Sequence, residues 1–235
     1  MSGGEKEADF MIKSFGTFHI FGQEIHITTT HISLFILTAV LVLFALVARR
    51  EIRKATITDK PTVFGNIVEL IVEKLDGMVA AGMGKDAIRF ANYIGSVFIF
   101  ILVANVSGLF GLRPPTADYG VTLPLGVITF FIIHYCGIKK NKGRHFTALF
   151  KPVFILFPIN LIGEIAVPLS LSLRLFGNIL SGTVMMGLIY GLLPVLITMG
   201  MPSVLHIYFD IFSGCIQAYV FCMLTMTYVE DKIGD

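Results

Sequence analysis

Between Lys151 and Glu230 the chain carries three formal charges, Glu164, Arg174 and Asp210, and is otherwise almost continuously apolar. About 20 apolar helical residues cross a hydrocarbon core about 30 Å thick, so this region has room for at least two passes. The rest of the chain repeats the pattern. Ile25 to Ala48, Phe90 to Leu112 and Tyr119 to Ile138 are free of charge; the last two are joined by a short connection from Arg113-Pro114-Pro115 to Asp118. Of all residues 55% are hydrophobic and 14% charged, against about 25% charged in a soluble domain. A soluble globular protein does not fit. A net charge of +2 is too small for a nucleic-acid binder. Three cysteines without a CxxC pair give neither a disulfide nor a zinc framework.

The fold expected is an all-α polytopic membrane protein with about five membrane-embedded helices, forming one integral membrane domain over residues 1–235. Residues 1–28 form an external N-terminal segment and 29–48 the first span. That segment begins acidic (Glu5, Glu7, Asp9), which disfavours a cleaved signal peptide and favours a retained span. Short loops rich in lysine and arginine face the cytoplasm. Arg49, Arg50, Arg53, Lys54, Lys60, Lys74, Lys85 and Arg89 follow span one, and Lys139, Lys140, Lys142, Arg144 and Lys151 follow span three, whereas the loop between spans two and three holds Arg113. The N-terminus is therefore placed outside and the C-terminus inside.

Residues 61–86 differ from the spans. Val63, Ile67, Leu70, Ile71, Leu75 and Met78 recur at helical spacing among Asn66, Glu69, Glu73 and Asp76, the pattern of an amphipathic helix on the cytoplasmic surface. Pro61 suits its start. Its role is to anchor the loop or to offer a partner site. Residues 90–138 form a helical hairpin, and 152–230 hold the last membrane-embedded helices. Pro152 to Ile197 is 46 residues, about 69 Å as one helix. It must break, re-enter or tilt strongly, with Pro158, Pro168 and Pro194 as possible kinks. Gly200 and Pro202 mark a turn into a final helix from Val204 to Tyr228.

Arg174 has no other charge within nine residues before it. It cannot neutralise itself, and a charge at the membrane centre costs about 2.5–3.5 kcal/mol on insertion scales. It needs a counter-charge or a wet cavity unless it snorkels to an interface. On the final helix His206, Asp210, Ser213, Gly214 and Gln217 recur at steps of three or four and share one face, with Asp210 and Gln217 stacked about 20° short of two turns apart. Such a stripe serves as helix-to-helix glue or as an ion path, and the carboxylate favours the path. Asn160 and Glu164 are one turn apart, as are Arg174 and Asn178. His206 and Asp210 lack a third ligand, so no metal is expected. No nucleophile elbow or phosphate loop suggests an enzyme or a cofactor.

The run Pro168-Leu-Ser-Leu-Ser-Leu-Arg174-Leu-Phe-Gly-Asn178 resembles the signature of subunit a of the F-type ATP synthase, bacterial type. Ile216-Gln217-Ala218-Tyr219-Val220-Phe221 resembles that family's C-terminal glutamine helix, and Pro158-Ile-Asn160-Leu-Ile-Gly-Glu164 the stretch before its arginine. The resemblance implies two long ion-channel helices within 152–230 tilted against a ring of c subunits, a b-subunit peripheral stalk and the rest of the synthase as partners, and a bacterial plasma membrane as location. It implies a non-catalytic stator channel with two offset half-channels for H⁺ or Na⁺. Arg174 becomes the rotor-facing gate, flanked by Asn178 and faced by Gln217, and Glu164 lines a half-channel. Nine residues after the arginine, where some members have glutamate or histidine, this chain has Thr183; seven before the glutamine, where others have histidine or an acid, it has Asp210. Asp210 then serves the outer half-channel, with His206 sharing its proton or only packing. A free-standing ion channel or secondary transporter is the competing reading.

Overall fold

The computed structural model describes residues 14–20, 23–54, 62–141, 154–192 and 205–233. An antiparallel hairpin of β1 (Ser14–Ile20) and β2 (Gln23–Thr28) precedes the first helix, pairing Ile20 with Gln23 and Ser14 with Thr28. This hairpin was not anticipated. The uncharged residues Ile25 to Thr28 belong to it, and α1 (Thr29–Lys54) follows directly. Thr28 Oγ1 hydrogen-bonds to His31 Nδ1 at 2.7 Å across that junction. Most of α1 is exposed, with Phe35, Leu43 and Leu46 uncovered and only Thr30, Ser33, Leu37 and Ala48 buried, as expected of a helix that faces lipid on most sides.

Helix α2 (Val63–Met83) starts at Thr62, whose side chain caps it by accepting from the Gly65 N–H at 3.1 Å. Pro61, the expected start, lies outside the described residues. Packing divides the helix into two halves. Ile67, Leu70 and Ile71 are exposed, whereas Val79 and Met83 sit in a core with Phe90, Ile94, Cys222 and Met226. Gly82 permits this approach, since a Cβ there would stand 2.9 Å from the Met226 sulfur. The second half of α2 is thus part of the helical bundle.

The hairpin of α3 (Ala87–Val106) and α4 (Tyr119–Asn141) is joined by a tight turn at Ser107–Phe110, a left-handed Gly111 (φ 71°) and a short helical turn at Pro115–Ala117. The connection's second half is buried, with Thr116 0% exposed, because Pro115–Ala117 packs against the next long helix, whereas Leu109 and Phe110 are exposed. Helix α5 (Phe157–Leu192) is 36 residues, about 54 Å. It neither breaks nor re-enters within these bounds. Pro158 falls in the first turn, where its missing N–H has no helical partner to lose. Pro168 lies inside without ending the helix. Gly126 of α4 meets it, and a Cβ at Gly126 would stand 2.6 Å from the Pro168 carbonyl oxygen.

The expected turn around Gly200 and Pro202, together with Pro194, falls among residues 193–204, outside the described set. Over its described residues the last helix is not α-helical throughout. A π-helical turn at Ile207–Ser213 leads into α6 (Gly214–Ile233). It also ends later than expected, beyond Tyr228, and so includes Lys232. Among the described residues five helices are long and apolar enough to cross a membrane, and the architecture is that of an all-α polytopic membrane protein. A second core joins Ile101 of α3, Ala117, Leu171, Leu175 and Ile179 of α5, and Ala218 and Phe221 of α6.

Candidate functional site

Burial divides α5 into two faces. Pro168, Leu171, Ser172, Leu175, Ile179, Gly182 and Met186 are buried at steps of three and four, the spacing of one helical stripe. Ile162, Leu169, Leu173, Gly177 and Ser181 are exposed on the other side. Arg174 is exposed at the margin of that second face, and it makes no hydrogen bond or ion pair with another described residue.

The last helix runs antiparallel to α5, and two contacts fix the register. Phe209 packs against Gly182, its Cδ1 3.4 Å from where a Cβ would be. Asn178 Nδ2 donates to Ser213 Oγ at 2.8 Å. One more turn on each helix brings Arg174 level with Gln217. Gln217 is buried, and its Nε2 has no hydrogen-bond partner among the described residues. Thr183 Oγ1 donates to the Ile179 carbonyl at 2.9 Å, so its hydroxyl proton is held by its own helix.

At one end of this helix pair stands Asp210. Its Oδ2 lies 2.6 Å from His206 Nδ1, and its carboxyl group is seated on Gly108, where a Cβ would approach Cγ and both oxygens to 3.2 Å. The side chains of Asp210 and His206 are 16% and 28% exposed. This carboxylate is therefore sheltered but reachable. The expected α-helical stacking of Asp210 beneath Gln217 does not hold, because the π-helical turn lies between them and changes the angular step.

At the other end stands Glu164, in an ion pair with Lys232 of α6, and with His134 of α4 3.6 Å from its second oxygen. Glu164 and Gly182 are 18 positions apart on one continuous helix, about 27 Å. Arg174 lies between them. The buried, uncharged Asn105 and Thr116 adjoin the Asp210 end, with Thr116 Oγ1 donating to Asn105 Oδ1 at 2.7 Å. Sequence reasoning passed over Asn105, Gly108, Thr116, His134 and Lys232. His134 carried a signal, an ionisable side chain inside a charge-free span; Gly108 carried none.

Sheltered ionisable groups at both ends of a helix pair long and apolar enough to cross a membrane, with Arg174 between them, define a polytopic membrane protein built to pass small ions. The family model described as ATP synthase A chain matches residues 31–230. The chain is 38% identical over 184 residues to the ATP synthase subunit a, sodium ion specific, of Propionigenium modestum, covering 71% of this chain and 62% of that protein. It is 31% identical over 228 residues to the chloroplastic subunit a of Stigeoclonium helveticum, covering 92% and 88%. Identity to the subunit a of Priestia megaterium is 37% over 194 residues, covering 76% and 82%. The chain belongs to the ATP synthase subunit a family. It is an ion-translocating, multi-pass membrane subunit of that complex.

Proposed function

We propose that this chain forms two offset half-channels separated by Arg174, carrying H⁺ or Na⁺ to and from a ring of c subunits. The observation that carries this reading is the order along α5. A sheltered carboxylate cluster stands at each end, about 27 Å apart along the axis, and the exposed Arg174 lies between them.

The division of labour follows from charge. A rotor carboxyl must be neutral to travel through lipid. Meeting a fixed guanidinium favours its ionised form and so favours ion release. The same positive charge repels a cation that would pass directly from one half-channel to the other. Gln217, level with Arg174 and buried, is suited to steady the guanidinium, and Asn178 beside it is tied to Ser213. Asp210 takes up and hands on the ion in the outer half-channel, with His206 close enough to share a proton. Thr183 contributes a hydroxyl oxygen to that end. Glu164 serves the inner half-channel, where Lys232 and His134 hold it.

Ser170, Gly177 and Ser181 are small and exposed beside Arg174, which lets another helix come close. That surface suits the c-ring, leaving the b-subunit stalk to contact other faces. Arg89, Lys139 and Lys140 gather with Ile233 around a cavity of about 320 Å³ at the Glu164 end. Basic residues at one end support a cytoplasmic C-terminus and an outer N-terminus, and the bacterial relatives support a bacterial plasma membrane. The chain itself is non-catalytic; its role is to couple ion flow to ATP synthesis carried out elsewhere in the complex.

The test is Asp210→Asn in the assembled complex, measured as passive ion flux through the membrane sector in vesicles. Flux should fall while the c-ring still co-purifies. Unchanged flux at every pH would make Asp210 structural and remove the outer half-channel as drawn.

A further inference from the structure

The π-helical turn at Ile207–Ser213 places Asp210, and such turns are rare because their hydrogen bonding is less favourable than that of an α-helix. Something outside the helix must hold it. The end of α3 touches the turn at two points. Where the π turn gives way to α6, Asn105 Nδ2 donates to the Gly214 carbonyl at 3.1 Å. The two helices meet there in direct contact, since a Cβ on Gly214 would stand 2.9 Å from the Asn105 Cβ. Three residues further along, Gly108 provides the floor for the Asp210 carboxyl group, with Cγ and both oxygens 3.2 Å from the position of a Cβ.

The Asn105 amide is itself oriented. Its oxygen accepts from Thr116 Oγ1 at 2.7 Å, which leaves its NH₂ group facing the Gly214 carbonyl. Asn105 is 1% exposed and Thr116 0%. An amide buried this deeply is unfavourable unless its hydrogen bonds are met, and an apolar side chain of similar size would fill the same space without that requirement. Its specific contribution is the bond to the last helix.

We propose that Asn105 is a positioning residue for ion transfer: oriented by Thr116, it locks the π-helical turn through the Gly214 carbonyl and so holds Asp210 and His206 over Gly108. Without this bond the turn relaxes toward α-helix. Relaxation changes the angular step of every residue between Asp210 and Gly214 and so turns Asp210 relative to α6. That swings Asp210 off Gly108 while the core of α6 below, around Ala218, Phe221 and Cys222, stays in place. The functional consequence rests on the proposed role of Asp210; the structural one does not.

Two measurements separate these. In the whole complex with Cys136, Cys215 and Cys222 replaced by serine or alanine, Gly108→Cys with Asp210→Cys puts two thiols within disulfide reach. Mild oxidation with copper phenanthroline should join them rapidly when residue 105 is asparagine, and at least ten times more slowly with Asn105→Leu. In a chain with Asp210 and Gly108 intact, Asn105→Leu should lower ion flux as far as Asp210→Asn does. Thr116→Val, nearly isosteric, should lower both readouts by a smaller factor, and it carries the test if Asn105→Leu does not assemble. Undiminished cross-linking in Asn105→Leu, or in Thr116→Val where that variant stands in for it, overturns the proposal. If cross-linking is lost but Asp210→Asn has normal flux, the lock stands and the half-channel role of Asp210 falls.

Discussion

Gly126→Ala tests the seam that holds α5 against the bundle. A methyl group at this position would stand 2.6 Å from the Pro168 carbonyl oxygen and 3.3 Å from Ser172 Cβ, where 3.4 Å is the near edge of ordinary contact. The obstacle is backbone, so it cannot rotate aside. Helices α4 and α5 must separate by about 0.8 Å at this level, a displacement of the size that overpacked cores accommodate at about 1–3 kcal/mol. That is roughly a 5- to 150-fold fall in the folded-to-unfolded ratio. Arg174 is six residues beyond Pro168, about 9 Å along the axis, so the same shift displaces the arginine toward or away from the rotor. Thermal unfolding of the detergent-solubilised complex and ATP-driven pumping should both fall. Gly77→Ala is the control, since no atom lies within 4 Å of its Cβ position, and it should leave stability equal or slightly raised. Wild-type stability and coupling in Gly126→Ala would refute the packing of α4 on α5.

Two further outcomes follow from the same contacts. Reversing the pair as Glu164→Lys with Lys232→Glu should restore much of the stability and flux lost in either single variant, with a coupling free energy above about 1 kcal/mol in a double-mutant cycle; additive losses would mean the two side chains act separately. Gly82→Ala should lose less than about 1 kcal/mol in the same unfolding assay, although its Cβ would come within 2.9 Å of Met226, because the obstructing atoms are the flexible end of a thioether. A loss as large as that of Gly126→Ala would contradict this distinction.

The sequence displayed the membrane architecture because the first three spans are charge-free runs bounded by charged residues, and the last two carry three charges between them. The unusual length of α5 was legible as arithmetic, since even its 36 residues exceed an upright crossing. Arg174 stood out because nothing near it in sequence could neutralise it. Other features were hidden for physical reasons. The π-helical turn was read as α-helix because a periodicity argument fixes the angular step in advance, and the step is what changed. The Glu164 cluster unites residues from α4, α5 and α6, with Lys232 lying 68 positions from Glu164, and only packing brings them together. Gly108 matters through the side chain it lacks, which no charge or hydropathy pattern records. The β1–β2 hairpin was different: alternating β-branched and aromatic residues around Phe21-Gly22 were a signal that the search for spans overlooked.

The central claim is that Arg174 separates two half-channels and makes the ion travel by way of the rotor. ATP-driven ion pumping by the complete complex carrying Arg174→Ala, reconstituted in sealed vesicles beside the parent complex, tests it most directly. The variant should assemble with its c-ring and hydrolyse ATP but build no ion gradient. A gradient formed at the parent rate would contradict it.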